Sequence, residues 1–346
     1  MSNDSQRRFP FGLRAGGAGA AAVAGAAVAG GLRHRAQTLD PESERFRSPL
    51  RGHAIAPRSA DGTLLHAEVF GADDASTFVL GPGWTETLYL YDSVTRLLLD
   101  RGYRVVAYDP RGQGLSAKPR GGDYNLARYG EDIEAVLTSA CDGRDDVIVA
   151  GHSMGAMSIA AWAATHDVKS RIIGAALMNT GLEGLLRATK LMPKIMPPPV
   201  SKALGTYAFL GNPLPFPAFS TGVARRTIKY VAFGPGGTTP QVAFYERMLM
   251  TCPPDVRRGA GLAMVHMHLL EALPRLTVPT LVLAGAVDRL TPPSHAKRIA
   301  EAVPDLAELL VLPAIGHMGP LEAPEATVDA LLRLHEHSRS LLVAAA

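Results

Sequence analysis

The stretch Val147-Ile148-Val149-Ala150-Gly151-His152-Ser153-Met154-Gly155 decides how the rest of the chain is read. Four apolar residues make a short buried-strand run, two glycines flank a serine, and residues 154–165 carry apolar side chains at helical spacing. A strand that turns this sharply into a helix strains the residue at the turn, and glycine on either side removes side chains that would clash there. The helix start also presents unpaired N–H groups and a positive dipole end beside Ser153. G-x-S-x-G alone is a weak signal, arising in a shuffled chain of this composition on the order of once in six trials, so its surroundings must decide.

Those surroundings repeat one pattern. Apolar runs at residues 64–70, 77–80, 104–108, 146–150, 172–178, 280–284 and 309–312 read as strands. Residues 88–101, 126–140, 154–165, 294–302 and 324–337 read as helices between them. The alternation predicts an α/β fold, a mostly parallel sheet with helices on both faces. It breaks over 182–276, where Pro193, Pro197, Pro198, Pro199, Pro213, Pro215, Pro217 and Gly234-Pro235-Gly236-Gly237 interrupt helical segments. This is the expectation of a helical lid inserted after the sixth strand, with 53–181 and 277–346 as the core.

A serine hydroxyl is a poor nucleophile at neutral pH; it needs a base within hydrogen-bond reach, and the base needs an orienting acid. In a strand–turn–helix site of this kind the chain order is serine, acid, histidine. Asp288 follows the run Leu281-Val282-Leu283-Ala284-Gly285, and His317 follows 309–312 in Pro313-Ala314-Ile315-Gly316-His317. Both fall just past a strand's carboxyl end, where sites form in open α/β sheets. The competing readings are a turn cap for Asp288 and a surface-loop histidine for His317. Glu183, after the run 172–178, is an alternative acid.

With these residues the chain resembles the α/β-hydrolase superfamily over about residues 53–340. Asp109-Pro110-Arg111-Gly112-Gln113-Gly114-Leu115-Ser116 is similar to the loop after that family's fourth strand, and Gly316-His317 with Glu322 and Pro324 to its histidine segment. Where the family commonly places His-Gly after the third strand, this chain reads Leu80-Gly81-Pro82-Gly83-Trp84-Thr85, with Pro82 at the histidine position. An oxyanion hole is built from backbone N–H groups, so Trp84 and Met154 are its expected donors, and the departure bears on the geometry of that loop. Asp109 and Arg111 are expected to fix their loop.

The resemblance implies a serine esterase or lipase-like enzyme: Ser153 nucleophile, His317 base, Asp288 orienting acid, a small-molecule ester substrate and no cofactor. The same triad serves thioesterases, carbon–carbon hydrolases and perhydrolases. From another class, a membrane-tethered binding protein with a vestigial site is the alternative. Epoxide hydrolases and haloalkane dehalogenases would place a carboxylate at position 153. In the lid, Leu185, Leu186, Leu191, Met192, Ile195, Met196, Phe209, Leu210, Phe216 and Phe219 suit an apolar acyl chain or an ordinary lid core.

Composition narrows the rest. Hydrophobic residues make up 47% and charged residues 19%, as in packed globular proteins. The net charge of +3 is small, and its basic excess sits in the first 58 residues, which argues against a nucleic-acid-binding body. Residues 15–32 are Ala, Gly and Val ending in Leu32, flanked by Arg7, Arg8, Arg14 and by Arg33 and Arg35. Eighteen such residues are just enough to span a bilayer, though Ala and Gly insert weakly. Residues 1–35 are therefore expected to be a membrane anchor or an export signal, against a disordered tail, and 36–52 a linker. Cys141 and Cys252 imply neither a disulfide framework nor a zinc site, and no metal is expected. His266-Met267-His268 is read as lid-helix packing, and Gly234-Pro235-Gly236-Gly237 as a turn. Oligomeric state is not legible.

Overall fold

The computed structural model describes residues 41–188, 210–214 and 220–345. The chain divides into two compact units, Met1–Ser48 and Pro49–Ala346. In the first, Pro41–Arg45 forms one helical turn inside the expected linker, with proline leading and Glu42 and Glu44 at its positive end. The expected anchor, 15–32, lies outside the described residues. Among the described residues no helix is long and apolar enough to cross a membrane.

The second unit is built on one sheet. Its strands are β1 (His53–Ile55), β2 (Ala67–Phe70), β3 (Thr77–Gly81), β4 (Arg104–Tyr108), β5 (Val147–His152), β6 (Gly174–Met178), β7 (Thr280–Gly285) and β8 (Ala307–Leu312). They lie in the order β1-β2-β4-β3-β5-β6-β7-β8. β1 with β2 and β2 with β4 run antiparallel, and every other pair is parallel. Every residue of β3 through β7 is buried, which is why these strands read as unbroken apolar runs. β8 is an edge strand whose exposed positions include Glu308, a charge that discourages further pairing. β1 escaped the sequence reading because three residues without a buried face give no periodic signal.

Helices cover both faces, as the alternation requires. They are α1 (Asp92–Leu99), α2 (Leu126–Cys141), α3 (Met154–Ala163), α4 (Leu185–Ala188), α5 (Gly222–Ala232), α6 (Thr239–Thr251), α7 (Pro254–Val265), α8 (Pro293–Ala302), α9 (Gly319–Glu322) and α10 (Pro324–Ala345). α1 packs on α10, and α2 packs on α3. Trp162 of α3 is wholly buried and donates its indole N–H to Glu134 of α2 at 2.8 Å, so its large apolar surface, about 3 kcal/mol or more of transfer free energy, leaves no polar atom unpaired.

Between β6 and β7 the described residues form α4 to α7 and a 3-10 helix, Leu270–Arg275, so the described part of this insertion is helical. α6 starts with Thr238 and Gln241 capping each other's backbone. Of the lid's expected apolar residues, Leu191, Met192, Ile195, Met196, Phe209, Phe216 and Phe219 lie outside the described residues. Gly237 N–H donates to the Gly234 carbonyl at 3.2 Å, forming the expected turn. His266-Met267-His268 does not form the expected helix face: α7 ends at Val265, Met267 is buried, both histidines are exposed, and His268 bridges Glu183.

Candidate active site

Strand register brings the chemistry-bearing loops together. Gly81 of β3 lies opposite Gly151 of β5, so the loop 82–87 stands beside the turn at Ser153. Gly285 of β7 lies opposite Leu312 of β8, aligning the loops that carry Asp288 and His317. All four loops leave carboxyl ends of parallel strands.

Ser153 occupies the expected strained turn, with φ +50° and ψ −113°. Its N–H donates to the Met178 carbonyl at 2.8 Å, and Thr180 Oγ donates to its carbonyl at 2.9 Å, so β6 holds the turn from beneath. A Cβ on Gly155 would lie 2.1 Å from the Gly81 carbonyl oxygen, so only glycine lets α3 come this close to β3. Met154 opens α3, and its N–H belongs to the first turn, which has no intrahelical acceptor.

His317 Nε2 lies 3.1 Å from Ser153 Oγ, and His317 Nδ1 lies 2.9 Å from Asp288 Oδ2. Asp288 Oδ1 accepts the N–H groups of Leu290 and Thr291 at 2.8 and 2.9 Å. Its Oδ2 also accepts Thr291 Oγ at 2.9 Å and Asn179 Nδ2 at 3.3 Å. Burial alone would raise this carboxyl. The facing His317 and the Thr291 donors outweigh that cost and hold it below the usual carboxylate range. An ionised carboxylate can only accept, so His317 carries its proton on Nδ1 and turns a bare Nε2 toward the serine hydroxyl. Ser153, Asp288 and His317 are all buried.

The histidine loop is clamped to the insertion. Glu322 accepts Gly316 N–H at 3.0 Å and Gly234 N–H at 2.7 Å, while His317 N–H donates to the Ala232 carbonyl at 2.8 Å. Glu183 forms an ion pair with Arg298, and the carboxylate beside His317 is that of Asp288.

Trp84 sits in the loop after β3, and its indole N–H donates to the Arg257 carbonyl of α7 at 2.8 Å. A Cβ on Gly83 would lie 3.1 Å from Ser153 Cβ, so this loop runs directly against Ser153. Gly83 N–H donates to the Glu86 carboxylate, which also faces His152 Nδ1 at 2.9 Å. Asp109 accepts the N–H groups of Leu88 and Leu115, each at 2.9 Å, so it fixes two loops. Arg111 is buried and forks onto Asp132 at 2.6 and 2.8 Å, with Asp61 at 2.8 Å.

Sequence reading missed Glu86, Thr291 and Asn179, and saw His152 only as a spacer. Nothing in one-dimensional spacing connects residues 86 and 152; the Gly81–Gly151 register does. Cys141 and Cys252 are buried and unbridged, and among the described residues no group of acidic, histidine or cysteine side chains could hold a metal ion.

A mostly parallel sheet with this strand order and a strained serine between β5 and α3 defines an α/β-hydrolase, and the protein is an enzyme of that superfamily. The chain belongs to the serine aminopeptidase S33 family of hydrolases, whose sequence model matches residues 73–323. It is 27% identical over 274 residues to a non-heme haloperoxidase of Rhodococcus erythropolis, covering 75% of this chain and 91% of that one. It is 25% identical over 269 residues to a bifunctional esterase/perhydrolase of Acinetobacter calcoaceticus, covering 77% and 93%. A solved hydrolase from Pseudomonas aeruginosa superposes with a TM-score of 0.65 at 29% identity, covering 82% of this chain and 98% of that one.

Proposed function

We propose that the protein hydrolyses small-molecule carboxylic esters through an acyl-enzyme on Ser153. The observation that carries this reading is the aligned pair of contacts at His317, 3.1 Å to Ser153 Oγ and 2.9 Å to Asp288. As Ser153 Oγ attacks the ester carbonyl, His317 Nε2 takes its proton and Asp288 stabilises the imidazolium. The backbone N–H groups of Trp84 and Met154 receive the oxyanion; each such donor is worth roughly 100- to 1000-fold in rate. The intermediate collapses, His317 protonates the departing alkoxide, and the acyl group stays on Ser153. Water, deprotonated by His317, then attacks the acyl-enzyme and releases the acid.

The test is a screen of p-nitrophenyl esters of increasing acyl length, run with the wild type and Ser153→Ala. Hydrolysis by the wild type, falling by about 10,000-fold or more in a folded Ser153→Ala protein, supports the reading. Near-wild-type turnover by that variant contradicts it. Apolar acyl groups fit the apolar composition of the insertion, and the chain-length profile reads this directly. The insertion, residues 182–276, acts in this account as the lid over the site.

A second reading is favoured by the relative named as a bifunctional esterase/perhydrolase. There hydrogen peroxide replaces water as acceptor for the same acyl group and releases a peracid. Peracid formation from ester and peroxide distinguishes the two. For residues 1–35, a membrane anchor fits an apolar run between arginine clusters, and the enzyme would then act at a membrane face.

A further inference from the structure

The side chain of His152 is wholly buried, and each of its ring nitrogens faces an oxygen. Nδ1 lies 2.9 Å from Glu86 Oε2, and Nε2 lies 2.8 Å from the carbonyl oxygen of His317. A backbone carbonyl can only accept, so Nε2 must carry a proton. Glu86 Oε2 already accepts Gly83 N–H, so the atom facing Nδ1 is acting as an acceptor too. Neutral imidazole has one N–H, whereas two acceptors call for the imidazolium.

The pair also links the segments from which the site is built. Glu86 and Gly83 belong to the loop after β3, which runs against Ser153. His152 is the last residue of β5, one position before Ser153, and the carbonyl it meets is that of His317, after β8. A single ring therefore spans the loop of Trp84, the nucleophile turn and the histidine loop. With Pro82 in place of a histidine in the first of these, Glu86 is what holds Gly83.

We propose that Glu86 and His152 form a buried carboxylate–imidazolium pair that positions the Gly83-Trp84 backbone against Ser153 and His317. They are positioning residues, outside contact with the reacting atoms, and this role rests on the esterase reading. Burial would by itself depress His152, but the Glu86 carboxylate and the His317 carbonyl outweigh it and raise the ring above the usual histidine range. Asp288 and the His317 ring, whose centroid is 5.0 Å from that of His152, face the pair from the loops after β7 and β8. Tyr91, before α1, and Tyr245, on α6, face Glu86; burial raises both hydroxyls, so neither adds charge.

Two measurements test this on the full chain. In nitrogen-15 histidine spectra at neutral pH, with His152 assigned by its loss in His152→Asn, both ring nitrogens are expected to be protonated. One bare nitrogen on His152 would overturn the ion pair. In turnover of p-nitrophenyl butyrate, Glu86→Ala is expected to lower kcat about 10- to 100-fold with KM changed less than about threefold. Glu86→Gln, whose amide oxygen in the Oε2 place can still accept from both Gly83 N–H and His152 Nδ1–H, is expected to keep kcat within about fivefold of wild type. Wild-type kcat in folded Glu86→Ala, or equal losses in Ala and Gln, would overturn the positioning role. The nitrogen spectrum needs no active enzyme, so it separates failure of the pair from failure of the esterase reading.

Discussion

Asp288 meets His317 with a carboxylate already held by four other donors, from Leu290, Thr291 twice, and Asn179. Those bonds fix its orientation independently of the histidine, so its Oδ2 presents one direction to Nδ1. Asp288→Asn can donate to Nδ1 and favour the wrong tautomer. We expect it to lower kcat about 10,000-fold, the loss seen when a triad aspartate is so replaced. Glu183→Gln, which disturbs only the ion pair with Arg298, should stay within about twofold of wild type. Steady-state kinetics on the two variants check the ranking, and the reverse order would reassign the acid.

Gly155 marks the closest approach of α3 to the sheet. Its missing side chain would meet the Gly81 carbonyl at 2.1 Å, and that backbone is part of a central strand that cannot yield. Gly155→Ala is expected to cost at least about 3 kcal/mol of stability, more than an added methyl usually costs in a core. Urea unfolding at neutral pH measures it; a midpoint equal to wild type would show that the strand gives way.

Arg111 joins the buried Asp132 and the partly buried Asp61, and the Asp61 arm of this junction carries an acid dependence of its own. Burial would raise the Asp61 carboxyl, but hydrogen bonds from Thr63 and the Arg111 guanidinium bring it down to about 2. A carboxyl whose folded pKa lies below its unfolded value adds stability that is complete above the unfolded pKa, near 4, and is lost as pH falls toward 2. Asp61→Asn should thus cost about 2 kcal/mol at neutral pH, and the gap should close near pH 2. Unfolding free energies of the two proteins across this range provide the check, and a gap independent of pH would place the effect elsewhere.

The sheet, the serine turn and the strand-end positions of Asp288 and His317 were legible because each depends on local pattern. β3 to β7 are buried throughout and so read as apolar runs, and Asp288 and His317 follow such runs directly. What was not legible depends on distant segments meeting. Glu86 and His152 are joined by strand register, and Asn179 reaches Asp288 from the end of β6 only after β6 and β7 pair. His266-Met267-His268 misled because the helix stops at Val265 and His266 already turns away from it, with φ −107° and ψ 12°.

The segment 15–32 gives a prediction about location. If it anchors the enzyme, full-length protein should sediment with membranes and resist salt extraction, while a chain starting near His53 should stay in the supernatant and keep its turnover of a short-chain ester. Fractionation followed by assay reads both. Full-length protein in the cytosolic supernatant, or a shortened form recovered outside the cell, would each contradict the anchor.

The central claim is that Ser153 is an activated nucleophile, and covalent labelling addresses it without knowledge of the substrate. A fluorophosphonate probe reacts with a serine whose hydroxyl is deprotonated by a neighbouring base. Intact-mass measurement of the probe-treated full chain should show a single adduct, peptide mapping should place it on Ser153, and the rate of labelling should collapse in His317→Ala. A folded wild-type protein that stays unlabelled, or an adduct on any other residue, would contradict the account.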